Sequence, residues 1–134
     1  MLQGQCRARV ERELETDRMY RVARVQLVPD CPIKSGEREK EMRRLLADRL
    51  GDWFAGQEHS LDQLNSLVQS SLPSGALCDI FSFALPLDCD FKQTLLEQPD
   101  VEKRIRQFVE YLQSKPPQSE QPRGRTFPPG FSHN

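Results

Sequence analysis

Residues 74–105 read SGALCDIFSFALPLDCDFKQTLLEQPDVEKRI, and three helices are written into them. Leu77, Ile80, Phe81 and Ala84 recur at the helical period until Pro86 ends the run. Asp88 or Asp90 stands where a second helix, carrying Phe91, Leu95 and Leu96, needs a cap. Pro99 and Asp100 open a third, whose buried stripe is Val101, Ile105, Phe108, Val109 and Leu112. Asp79 reads as a polar anchor within an apolar surround, while Lys92 with Glu97 and Asp100 with Arg104 are spaced for helix-surface pairing or capping. None of these charges is placed as a nucleophile, a metal ligand or a phosphate cradle.

Working toward the N-terminus, Pro73 restricts Leu72 and separates this segment from an earlier helix, where Ser60 and Gln63 form a capping-box pattern ahead of Leu61, Leu64, Leu67 and Val68. Before that, Met42, Leu45, Leu46, Leu50, Trp53 and Phe54 trace one face of a helix from about Gly36 to Ala55, with Gly56 as its stop. Arg43, Arg44 and Arg49 border that stripe and are expected to be a solvated face. The PDCPIKSG stretch, residues 29–36, is punctuated by Pro29, Pro32 and Gly36 and reads as a loop. The first thirty residues read as a hairpin: CRARVEREL partly alternates, Thr16 and Asp17 supply turn chemistry, and YRVARVQLV resumes with Ala23, Val25 and Leu27 on one face and Tyr20 and Val22 on the other. At the other end, five prolines fall among the twenty residues from Lys115 to Asn134. That composition reads as a disordered or polyproline-like tail, preferred over a docking motif built from Arg123, Arg125, Phe127 and Phe131.

Bulk properties name no partner. The 134 residues carry 19 basic and 20 acidic side chains for a net charge of -1, so no overall field draws in nucleic acid or an anionic membrane. The longest apolar run, near Ala76 to Leu87, is broken by Asp79 and falls short of the ~20 residues of a membrane span. The first ten residues lack a secretory pattern, and a soluble, cytoplasmic protein is expected.

Reactive side chains are no more informative. Cys6, Cys31, Cys78 and Cys89 have no pair at zinc or redox spacing, and His59 and His133 form no metal pattern; reduced structural thiols are expected, with no metal and no cofactor. Lys34 and Ser35 lack the glycines a phosphate loop requires, since Val28 and Ile33 occupy those places. A nucleophilic cysteine beside His59 has no supporting signature, and Cys78 and Cys89 are flanked by Asp79, Asp88 and Asp90, which oppose a thiolate.

The order of Gly75, Leu77, Asp79, Ala84, Leu85, Leu87, Lys92, Gln93, Leu95, Leu96, Glu97, Asp100, Val101 and Arg104 resembles the helical half of the Lon protease N-terminal, or substrate-binding, domain: G-x-L-x-D, a short apolar helix, K-Q-x-L-L-E, then D-V-x-x-R. GQCRARV followed by YRVARVQLV is similar to the last strand pair of that family's PUA-like β half, so the resemblance spans about residues 2–113. It implies an α+β fold in which a remnant of the β half, the hairpin of residues 1–30, precedes a bundle of about five α-helices over 37–114 and a tail over 115–134. The family's earlier strands have no counterpart, as expected of a member shortened at its N-terminus, and neither the AAA+ ATPase nor the serine-lysine peptidase of the full protease is matched.

The resemblance implies a non-catalytic module that recognises unfolded or degron-bearing polypeptides, with a separate ATP-dependent protease as a further partner. The alternative is an adaptor or oligomerisation module acting through its tail. Unpaired hairpin edges also invite a homo-oligomer. RNA binding, suggested by PUA-like relatives, is disfavoured because Glu11, Glu13, Glu15 and Asp17 interleave with the hairpin arginines and Tyr20 is nearly the only aromatic beside them. Tyr20, Val22, Trp53 and Phe54 are the candidate polypeptide contacts, being large and close to the junction of hairpin and helices.

Overall fold

Alternation in the first thirty residues produces two strands, β1 (Arg7–Leu14) and β2 (Val22–Val28), paired antiparallel from Arg7 opposite Val28 to Leu14 opposite Val22. The register slips between Val10 and Arg12, so Glu11 sits in a bulge. In the connecting turn the Thr16 hydroxyl accepts from the Arg18 amide at 3.0 Å. The computed structural model describes residues 4–55 and 58–115, with backbone alone for 58–60; the tail expected beyond Lys115 and the stop expected at Gly56 lie outside the described residues.

Five helices come after the hairpin: α1 (Gly36–Trp53), α2 (Glu58–Gln69), α3 (Ser74–Ala84), α4 (Cys89–Glu97) and α5 (Val101–Ser114). The α1 stripe buries Met42, Leu46, Leu50 and Trp53, and α5 buries Val101, Ile105, Phe108, Val109 and Leu112 against α1 and α3. Between them α3 contributes Leu77, Cys78 and Phe81. Each of these large side chains, once fully buried, is worth about 1.5–3 kcal/mol of transfer free energy, and together they form one core. The α4 helix lies at the edge, held by Leu95 and by Phe91, whose ring stacks on Tyr111 with centroids 3.9 Å apart.

Helix starts obey side-chain chemistry. Ser35 caps α1 by accepting from the Arg38 amide at 3.4 Å, and Asp100 caps α5 by accepting from Lys103 at 3.0 Å. The expected cap at Ser60 is not one: α2 begins at Glu58 and takes Ser60 into its first turn, since neither Glu nor His resists helical backbone strongly enough to delay the start. Asp88 precedes α4 without a capping bond from its side chain; its carboxylate accepts from the Tyr111 hydroxyl at 2.7 Å instead. Tyr111, with Lys115, holds that carboxyl below its ordinary range.

Three further expectations are corrected by long-range contacts. Arg43 is not on a solvated face: its guanidinium donates to the carbonyls of Val68, Leu72 and Ser70 at 2.6, 2.7 and 2.5 Å, closing the C-terminal end of α2, where carbonyls lack helical partners. Arg104 does not pair with Asp100 but is fully buried on the inner face of α5. Lys92 donates to the Phe83 carbonyl at 3.1 Å rather than pairing with Glu97, which accepts from Gln93. The loop after β2 is also less irregular than its prolines suggest, because Cys31 makes a single parallel bridge with Asp100, through Cys31 N–H to the Pro99 carbonyl at 2.8 Å and Val101 N–H to the Cys31 carbonyl at 3.2 Å.

Candidate functional site

Residues of the G-x-L-x-D and D-V-x-x-R segments meet in a partly buried ionic cluster, in which Arg104 is fully enclosed and the carboxylates of Asp30 and Asp79 reach solvent. Arg104 Nη2 lies 2.7 Å from Asp30 Oδ2, Arg104 Nη1 donates to the Gln98 carbonyl at 2.7 Å, and its Nε is 3.3 Å from Asp79 Oδ1. Arg7, from β1, closes the cluster: it reaches Asp30 Oδ1 and Asp79 Oδ1 at 2.6 Å each and donates from Nε to the Leu96 carbonyl at 3.0 Å. Burial pushes the Asp30 carboxyl up, but Arg104 and Arg7 outweigh it and hold the group below its ordinary value. Burial likewise opposes the charge on Arg104, and Asp30 with Asp79 raises its pKa nonetheless. Two arginines facing two carboxylates leave no charge for a substrate to neutralise, and such a cluster pins the hairpin, the loop, α3 and α5 together.

Beneath it, burial pushes the Cys78 thiol up to about 12, which makes it unreactive. Among the described residues no group of His, Cys, Asp and Glu could hold a metal ion, and no helix is long and apolar enough to cross a membrane.

The feature with the shape of a binding site is an open cleft of about 330 Å³ where α1 ends against α2 and α3. Trp53 and Phe54 form one wall, Leu64 and Leu67 of α2 the second, and Ile80, Phe81 and Ala84 of α3 the floor, with Leu85 and Pro86 at the far lip. Local sequence explains each wall. The α1 stripe runs past its last turn, so Trp53 is 8% exposed while Phe54, the residue that ends the helix, is half-buried. Pro86 stops α3 just after Ala84, which turns Leu85 inward and leaves Ile80 at the rim, 38% exposed. Gln63 is the one polar residue among those lining the cleft. Such a surface excludes water from apolar groups and offers almost no directional bonding, which suits an apolar side chain of a polypeptide better than a polar metabolite.

Of the expected contact residues, Trp53 and Phe54 are brought together in this cleft. Tyr20 and Val22 are not among its lining residues. Tyr20 sits in the hairpin turn, 61% exposed, its hydroxyl accepting from Arg18 at 2.5 Å and its ring 5.5 Å from the same guanidinium; Val22 begins β2 opposite Leu14. In sequence, Leu64, Leu67, Ile80, Ala84 and Pro86 read as ordinary helix-core or helix-stop residues. The one signal of a shared site is that the stripes of α1, α2 and α3 all extend to ends that meet, which no helix reveals on its own.

Comparison with curated proteins gives no match. The family model described as the ATP-dependent protease La (LON) substrate-binding domain matches residues 1–114, a stretch that contains the hairpin, the ionic cluster and every wall of the cleft. With the α+β arrangement of one hairpin and five helices among the described residues, this match over most of the chain places the protein in the Lon substrate-binding domain family.

Proposed function

We propose that this protein is a non-catalytic polypeptide-binding module that takes unfolded or degron-bearing chains by their apolar side chains, using the cleft between α1, α2 and α3. The observation that carries the reading is the cleft itself, apolar on three sides and open to solvent, with Trp53 and Phe54 on its wall. Membership of a substrate-binding family supports a polypeptide as the ligand. The ionic cluster supports the non-catalytic part, because its carboxylates and guanidiniums are spent on each other. Handing the bound chain to a separate ATP-dependent protease is the role such a module serves. Tyr20 and Val22 belong, on this reading, to a secondary contact on the hairpin, whose Val10, Val25 and Leu27 are also exposed.

Trp53 is the single tryptophan of the chain, so the cleft carries its own reporter. A fluorescein-labelled, tryptophan-free unfolded polypeptide titrated with the full-length protein is expected to show saturable anisotropy together with a change in Trp53 emission. Ile80→Glu, at the rim, is expected to weaken binding about tenfold, equivalent to ~1.4 kcal/mol, without altering the circular dichroism spectrum. Absence of saturable binding, or equal affinity for the Ile80→Glu variant, refutes the cleft as the binding surface.

A further inference from the structure

We infer that the cleft selects polypeptides in which the apolar side chain it holds is preceded or followed by Lys or Arg, with the Asp62 carboxylate receiving the cation. The inference rests on the proposed reading of the cleft as a polypeptide-binding surface and adds to it the class of segment that is taken.

The cleft does not end at its α2 wall. It continues into a shallow, open groove of about 440 Å³ lined by Asp62, Gln63, Ser66 and Leu67, and two of these, Gln63 and Leu67, also line the cleft. A chain with one side chain in the cleft can therefore run its neighbouring residues along the groove, since an extended residue advances about 3.3 Å and one turn of α2 spans about 5.4 Å. Asp62 is the one charged residue among the described residues that line the cleft and the groove. It is exposed, and among the described residues its carboxylate is in no ion pair.

The surrounding chain repeats that sign. From Leu50 to Phe91 there are six acidic residues, Asp52, Glu58, Asp62, Asp79, Asp88 and Asp90, and no Lys or Arg, and this stretch supplies every wall of the cleft. Some of these carboxylates are already engaged. Asp79 faces Arg7 and Arg104, and Asp88 faces Tyr111 and Lys115. Asp90 sits in the first turn of α4, where a negative charge suits the helix dipole. Asp52, next to Trp53, is shared with Arg49 at 3.1 Å, but its side chain is 73% exposed and such a pair is weak. Asp62 is left to act at the groove, with Asp52 as a second, partly compensated charge. The basic residues at either end of the stretch do not offset them, because Arg49 is held by Asp52 and Lys92 by the Phe83 carbonyl at 3.1 Å.

Lys and Arg suit this arrangement in both of their parts. Their aliphatic stems lie on apolar surface while the charged head stays wet, and Leu67 beside Asp62 offers one surface for each part. A Glu in the same place meets like charge. An exposed pair of opposite charges changes affinity by at most about fivefold, so the apolar cleft supplies the hold and the carboxylates decide between segments.

The test uses the full-length protein and three fluorescein-labelled, tryptophan-free, unstructured peptides that share a central Phe-Leu pair and differ only in their flanking residues, Lys, Gln or Glu. In ~20 mM salt, where screening is weak, anisotropy is expected to rank them Lys, Gln, Glu, with about tenfold between the extremes and a change in Trp53 emission for each. In ~0.5 M salt the spread should narrow to about twofold. Asp62→Asn is expected to cut the tenfold ratio to about threefold, and Asp52→Asn/Asp62→Asn to bring it close to one; both positions are exposed, so the circular dichroism spectrum should not change. Equal affinities for the three peptides, with Trp53 responding to each, overturn the charge selection and leave polypeptide capture standing. Failure of all three to bind overturns capture and the selection with it. An undiminished ratio in the double variant, or binding of the Lys peptide that leaves Trp53 emission unchanged, overturns the assignment to Asp62 and places the partner of the cation elsewhere on the protein.

Discussion

Gly75 shows how closely the ionic cluster is built into the backbone. A Cβ placed there would lie 3.0 Å from Arg104 Nη2, 3.1 Å from Val101 Cγ2 and 3.2 Å from Asp30 Oδ2. Two of the three cannot easily give way. Arg104 is fully buried and held by Asp30 and Gln98, and Val101 is buried in the first turn of α5. Gly75→Ala therefore sets a helix-propensity gain of at most ~1 kcal/mol against an overpacking cost of about 1–3 kcal/mol, weighted toward the cost because the clash falls on an immobile ion pair. We expect the variant to be destabilised by about 1 kcal/mol or more in urea denaturation. Unchanged or increased stability would mean that the cluster is looser than its distances state. The same crowding gives the glycine of the G-x-L-x-D pattern a physical role: the backbone of α3 must approach the Arg104 guanidinium without a side chain between them.

At the scale of elements, Arg43 is the contact whose loss should be felt most. It comes from the middle of α1 and satisfies three carbonyls at the end of α2, so it joins two walls of the cleft as well as closing a helix. Hydrogen bonds from a charged donor contribute about 1.5–3 kcal/mol, and partly buried carbonyls left bare cost more. Arg43→Met is expected to lose at least ~2 kcal/mol in chemical denaturation. Arg43→Lys should recover only part of that loss, because an ammonium cannot present the planar fork. Arg44→Met, one position along on the exposed face, should stay within about 0.5 kcal/mol; an equal loss at both positions would refute the helix-closing role. Arg43 also marks the limit of what is legible in sequence. In α3 the spacing finds Leu77 and Phe81 in the core but Ile80 and Ala84 are left exposed. The apolar stripes of α1 and α5 and the Asp100 cap derive from spacing and local chemistry, and they appear where the spacing puts them. Arg43, Arg104 and Asp30 do not, because their partners lie 25–29 and 74 residues away, and spacing rules reach only a turn or two. Trp53 and Phe54 are legible as large apolar residues at a helix end. That they form a cleft depends on where Pro86 halts α3, which is a property of packing between helices.

For the whole molecule, the attachment of the hairpin is more ionic than apolar, and this makes it sensitive to acid. Val10 and Leu27 are 61% and 64% exposed, so the strands gain little from burial, and two strands alone are marginal in water. Arg7 instead ties β1 to Asp30, Asp79 and the Leu96 carbonyl, while Asp30 passes the connection on to Arg104. Because the folded protein holds the Asp30 carboxyl below its ordinary value, folding favours the ionised form. The resulting stability is fully present above the unfolded value of about 3.9 and is lost as pH falls through the lower, folded value. Asp30→Asn removes the charge while keeping the shape. At pH 7 the variant should melt several degrees below the wild type, and hydrogen exchange should speed up in β1 and at the Cys31 amide, which bonds to the Pro99 carbonyl. At a pH below that folded-state value, where the wild-type carboxyl is protonated as well, the two melting temperatures should converge. Asp88 and Glu102, also held low by their partners, titrate in both proteins and cancel from the comparison. A gap of the same size at both pH values would show that the charge on Asp30 is not what anchors the hairpin, and that its shape or its loop geometry carries the attachment instead.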